Sequence, residues 1–168
     1  MIFKFLNRSF YISFSIVALT YFLDRFTKIY VIQLDKNNLG SDIFNSAYLN
    51  ITLIWNKGIA FGLFSFTEAY LYNFLSLIIS IIIIILVVMS FKSPSFKKYS
   101  LLMIVGGALG NLHDRIFINA VPDFIDFHVG DFHWFVFNVA DIFISIGVIL
   151  MIFFEIIDNN RININDKN

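Results

Sequence analysis

Cysteine is absent from the 168-residue chain. That one absence excludes disulfides, thiolate metal sites, cysteine nucleophiles and thiol redox chemistry. Charge is also scarce: 14% of residues are charged, against about 25% in an ordinary soluble domain. Twelve Lys and Arg balance twelve Asp and Glu, so there is neither a basic field for nucleic acid nor an acidic solvating tail. No internal repeat, low-complexity tract or domain boundary divides the chain. What is abundant is apolar surface, at 58% hydrophobic residues and a mean hydropathy of +0.78. This is the composition of a membrane protein, and charge placement must carry the remaining information.

A bilayer core takes about 20 mostly apolar residues per helix. The clearest span is Ala69 to Phe91, uncharged between Glu68 and Lys92. A second, Ser9 to Leu23, follows Lys4 and Arg8 and continues through Asp24, Arg25 and Lys28 to Val31. No small-x-small cleavage site follows its apolar stretch, so an uncleaved anchor is favoured over a signal peptide. A third runs from Tyr99 to about Ile118 and carries Gly106, Gly107, Gly110, Asn111, Asp114 and Arg115. A fourth, Phe135 to Ile157, is apolar except for Asn138, Asp141 and Glu155. The expectation is one membrane domain over residues 1–168, with a bundle of four helices at about 9–33, 68–91, 98–118 and 135–157.

Lys4, Arg8, Lys92, Lys97, Lys98, Arg161 and Lys167 all fall on one side of that arrangement, which predicts cytoplasmic termini. The two other connections then face outward. The first holds the β-favouring run Tyr48 to Trp55, expected to form a small sheet. The second, Asn119 to Trp134, interleaves aromatics with acids and histidines, which suits an interfacial helix or loop.

Polar residues of the spans gather toward these outward ends. Gly107, Asn111 and Arg115 recur every four residues, so they share a helix face. Asn138 and Asp141 share a face of the fourth helix, and Asp24 and Lys28 one of the first. Asp123, in the outer connection, approaches Asp141 if that connection folds back. Two carboxyls sharing a water do not both ionise easily, so one polarises a carbonyl while the other takes a proton from water. From spacing alone, a structural ion pair with Arg115 stays equally open. Asp126 and Asp131 read as solvated loop acids. His113, His128 and His133 lack a metal-binding pattern. Ser76, Ser80 and Ser145 lack a GxSxG elbow and read as packing residues; a serine with Lys28 as base is open but unsupported. Asn56 and Gly58 alone read as an ordinary turn.

Five blocks taken together remove the ambiguity: LDRFTK (Leu23 to Lys28), NKGIAF (Asn56 to Phe61), GGALGNLHDR (Gly106 to Arg115), VPDFIDF (Val121 to Phe127) and FNVAD (Phe137 to Asp141). In content and order they resemble the lipoprotein signal peptidases, the bacterial type II signal peptidases. The resemblance implies an aspartyl endopeptidase of the bacterial inner membrane that cleaves prolipoproteins on the amino side of a diacylglyceryl-modified cysteine. It implies a site near the outer leaflet, no metal or organic cofactor, and inhibition by globomycin-type cyclic peptides. It makes Asp123 and Asp141 the catalytic pair, lines the substrate site with Asn56, Gly107, Asn111, Arg115, Asn138 and Ala140, and gives supporting roles to Asp24, Lys28 and Gly58.

Three positions depart from the family pattern. Arg25 stands where Gln is usual and adds a charge beside Asp24 and Lys28. Asn119 stands where Gly is usual, and can adopt the same backbone. Pro122 precedes Asp123 and restricts Val121 to extended geometry. The rival readings are a membrane transporter or binding protein using the same polar residues, and a catalytically dead relative, which the intact Asp123 and Asp141 argue against.

Overall fold

A computed structural model describes residues 8–38, 42–58 and 69–165. Ile59, Ala60 and Phe61 of the NKGIAF block, and Glu68 at the expected start of the second helix, lie outside the described residues. Among the described residues there are four helices: α1 (Arg8–Asn37), α2 (Ala69–Lys92), α3 (Ser95–Phe117) and α4 (Val139–Asn165). The same residues include four strands: β1 (Phe44–Asn45), β2 (Leu49–Asn56), β3 (Val121–Val129) and β4 (Phe132–Phe137). They form one antiparallel sheet in the order β1-β2-β3-β4.

Helix α3 is the hub, packing against α1, α2 and α4. Its small residues make that possible. A side chain at Gly107 would stand 2.6 Å from the Ala140 carbonyl oxygen of α4, and one at Gly110 would collide with the Asp24 carboxyl of α1. Small residues at these positions let the helix backbones approach closely. On its other side Val105 and Leu112 bury with Ile83 of α2, backed by Val17 of α1.

Among the described residues, α2 (over Tyr72–Lys92) and α4 (over Val139–Asp158) are long and apolar enough to cross a membrane. Their apolar windows are only 17% and 11% buried. A soluble core helix would be mostly covered, so these faces are built for an apolar solvent. Helices α1 and α3 are less apolar because their polar residues turn inward: Thr20, Asp24 and Lys28 of α1 and Asp114 and Arg115 of α3 are buried, while Phe14, Phe22, Phe26 and Phe117 lie exposed.

The connection from Asn119 to Trp134 is a β-hairpin, where the sequence reading expected a helix or loop. Val129 pairs with Phe132 across Gly130 and Asp131, and Gly130 has φ 59°. A two-residue turn with positive φ at its first position matches the twist of the flanking strands. Because β4 continues to Phe137, α4 begins at Val139 and not near Phe135. Asn119 has φ 60°, directly after the α3 cap at Ile118; it fills the left-handed position that commonly ends a helix. Pro122 pairs with Trp55 of β2, while the β4 ladder starts only at Ile125. The strand is therefore locally an edge at Pro122, where proline is tolerated.

Candidate active site

The chain enters α4 through a reciprocal cap. The Asp141 N–H donates to Asn138 Oδ1 at 3.2 Å, and the Asn138 N–H donates to Asp141 Oδ2 at 3.1 Å. Asn138 is the N-cap and Asp141 the third helical residue, so ordinary capping chemistry fixes where Asp141 points. The cap amide also reaches the sheet: Asn138 Nδ2 donates to Asp123 Oδ1 at 2.6 Å. One asparagine thus ties both carboxyls together.

Asp123 lies on β3 opposite Ile54, two positions from Asn56 along β2. Asn56 Oδ1 accepts the Gly58 N–H at 2.8 Å, which turns Nδ2 toward Asp123 Oδ2, also 2.8 Å away. The NKG turn is therefore an orienting device. Its Gly58 carbonyl in turn accepts Arg115 Nη2 at 3.0 Å.

Behind Asp141 stands a buried relay. The Lys28 ammonium has only donors, and gives them to Asp24 Oδ2 at 2.9 Å, Asp114 Oδ2 at 2.8 Å and Asn111 Oδ1 at 2.8 Å. With its oxygen claimed, the Asn111 amide must present Nδ2 to Asp141 Oδ1, at 2.8 Å. Asp24 Oδ1 accepts the Ala140 N–H at 3.0 Å, which docks the first turn of α4 on α1. Arg25 completes the set, with Nη1 2.6 Å from Asp114 Oδ1.

Asp123 and Asp141 share a cavity of about 260 Å³ with Asn56, Asn111, Arg115, Asn138 and the apolar stretch Phe135 to Phe137. Two larger surface grooves, of about 510 and 480 Å³, contain no carboxylate. Burial pushes the Asp123 carboxyl up to about 6, against the pull of the Asn56 amide; the Asp141 charge adds to the rise and the Asn138 amide opposes it. A carboxyl that keeps its proton well above the ordinary carboxylate range, beside a second carboxyl in a confined cavity, has the equipment for general acid–base hydrolysis.

Four of the six residues expected to line the substrate site do line the cavity: Asn56, Asn111, Arg115 and Asn138. Gly107 and Ala140 do not. They form the close contact of α3 and α4 behind it. Arg115 is in none of the ion pairs among the described residues, so the ion-pair reading of the two acids is not what the geometry provides. Asp126 is not the solvated loop acid expected: it is buried, 8% exposed, and its Oδ2 lies 2.8 Å from His133 Nδ1. Its strand, unrecognised in the sequence, is what buries it. Ser145 also departs from expectation, since it lines the cavity one helical turn beyond Asp141. Asp114 was not singled out, although it stands three residues after Asn111 on the same face. His113 turns away to the Tyr21 hydroxyl at 2.9 Å.

The family model described as Signal peptidase (SPase) II matches residues 16–157. A lipoprotein signal peptidase of Pelagibacter ubique (strain HTCC1062) is 47% identical over 161 residues, covering 96% of each chain. One of Anaplasma phagocytophilum (strain HZ) is 43% identical over 143 residues, covering 84% of this chain and 89% of that one. Among solved structures, a bacterial membrane enzyme determined in meso at 2.3 Å resolution superposes with a TM-score of 0.70 at 29% identity, over 89% of this chain and 90% of that one. A second, at 1.9 Å, gives a TM-score of 0.67 at 31% identity, over 84% and 90%.

Proposed function

The chain belongs to the signal peptidase II family, the membrane aspartyl peptidases that remove signal peptides from prolipoproteins, and from that premise we propose that Asp123 and Asp141 are its catalytic pair. The observation that carries this reading is the meeting of the two carboxyls across one cavity, joined through Asn138.

Asp123, whose proton is held by burial, donates to the scissile carbonyl oxygen. Asp141 takes the proton from water: it sits at the positive end of the α4 dipole with an N–H on each oxygen. Water attacks the carbonyl carbon; as the C–N bond breaks, the leaving amine takes the proton that Asp141 drew from the water and the collapsing diol returns a hydroxyl proton to Asp123, so both carboxyls are reset and no covalent enzyme intermediate forms. The amides of Asn56, Asn111 and Asn138 hold both carboxyls without neutralising them, and Arg115 has further N–H groups for the substrate backbone. Catalysis needs no metal or organic cofactor.

Four spans with cytoplasmic termini in the inner membrane fit this chemistry. Lys98 meets Ser9 and Lys97 meets Glu155 and Asp158 at one end of the bundle, while the sheet and the two acids occupy the other, at the level of the outer leaflet. Cleavage falls on the amino side of a diacylglyceryl cysteine. Each buried methylene contributes about 0.8 kcal/mol, so two acyl chains hold the scissile bond at the depth of the cavity. Globomycin-type peptides compete there. The test is purified enzyme with one precursor, lipid-modified or not, in matched detergent. Cleavage only of the modified form is expected; equal efficiency on both contradicts the lipid-dependent reading, and no cleavage of either leaves a binding protein.

A further inference from the structure

His128 of β3 pairs directly with His133 of β4, and their rings stack with centroids 4.9 Å apart. Asp126 precedes His128 by two residues, and an irregularity in the ladder falls between them; bulges of this kind re-aim side chains. One donor atom from each of Asp126, His128 and His133 lies within 4.8 Å of the others. None of the three lines the cavity of Asp123 and Asp141.

Two atoms of this cluster are unsatisfied. Asp126 Oδ1 and His128 Nδ1 are buried with no hydrogen-bond partner, a state that folded proteins seldom tolerate without a reason. Asp126 already engages His133 Nδ1 through its other oxygen. A cation at the centre would satisfy both orphaned atoms at once. Two imidazoles and one carboxylate suit zinc and its transition-metal neighbours, and not calcium or magnesium, which take oxygen. Ligands about 2.1 Å from a tetrahedral ion stand about 3.4 Å apart, so the set must contract slightly. His133, with its side chain 52% exposed, is free to move inward.

We propose that the β3–β4 hairpin binds a divalent transition-metal ion of the zinc class through Asp126, His128 and His133, with the remaining position open to water. The ion cross-links the two strands close to their turn. It is not part of the hydrolytic chemistry: it stiffens the hairpin whose far end, Phe135 to Phe137, walls the substrate cavity.

The experiment uses the full chain in detergent with any polyhistidine tag removed, stripped with a chelator and titrated with zinc alone by calorimetry, the metal content being counted after dialysis. One zinc per chain is expected, with a rise in thermal stability. His128→Gln and His133→Gln should each weaken binding by about tenfold or more and abolish the stabilisation, while Asp141→Asn keeps both. His133 is exposed, so its variant tests the site without a folding defect. Absence of zinc at micromolar free metal overturns the proposal and leaves a plain Asp–His contact with stacked rings. Full retention by the double histidine variant overturns it too, as does loss of zinc in Asp141→Asn, which would put the ion on the catalytic pair.

Discussion

Two pairs of carboxyls lie at the same end of the helices and are treated in opposite ways. Asp24 and Asp114 are met by Lys28 and Arg25, two negative charges against two positive, all inside the bundle. Asp123 and Asp141 have no cation partner among the described residues and are held by neutral amides instead. The cations tie the first pair into the helix packing; the amides orient the second pair and leave both carboxyls facing the cavity. The first pair is scaffold; the second is the reagent pair we propose. Asn111 joins them, since its oxygen serves Lys28 and its nitrogen serves Asp141.

The sharpest way to break that contrast is to remove a reagent carboxyl. Asp123→Asn and Asp141→Asn should each lower the rate by about 10²–10⁴ or more, with the protein still folded in detergent; near-normal turnover in either would refute the assignment. Removing the scaffold charge should act on stability first. Lys28→Met leaves Asp24 and Asp114 short of their ammonium, and breaking a buried pair costs about 3–5 kcal/mol; an unchanged thermal transition would show that the cluster is not holding the helices. The Asp123 proton should appear in the pH profile. With Asp123 at about 6, the protonated form is lost as pH rises through that value, so kcat/KM of the wild type should fall on the alkaline side. A kcat/KM that instead climbs through the same interval would mean that ionised Asp123 is the reactive form. Asn138→Ala should cost about 1 kcal/mol as a lost cap and also slow cleavage, since the Asp123 carboxyl loses its Asn138 amide and the Asp141 N–H loses its acceptor. The smallest effect is expected for Asp131→Asn at the exposed turn, within about 0.5 kcal/mol of wild type and with full activity.

The helices were legible because uncharged runs such as Ile81 to Val88 have few other readings, and the gathering of Asp24, Lys28, Asn111, Arg115, Asn138 and Asp141 followed from helical spacing. The hairpin was not. Acids and histidines alternating with phenylalanines look interfacial at either period, yet Gly130 and Asp131 between Val129 and Phe132 carry a two-residue turn signal that would have revealed β3 and β4. Missing that strand misplaced Asp126. The Asn138 cap was equally visible, as an Asn three residues ahead of an acid at a helix start. The division of labour between Gly107 and Asn111 was beyond the sequence. Both lie on one face, and only packing decides that the first meets a backbone and the second a cavity.

The docking of α4 on Asp24 through the Ala140 N–H has a consequence for the protein's birth. Synthesis proceeds from the amino terminus at about 5–20 residues per second, so Asp123 emerges with its β2 partner already made but without Asp141. The proposed pair comes together only when the last helix seats its first turn against the first helix. A nascent or truncated chain ending before Val139 therefore lacks the second carboxyl of the proposed pair, and on that proposal hydrolytic competence arrives as the closing event of assembly.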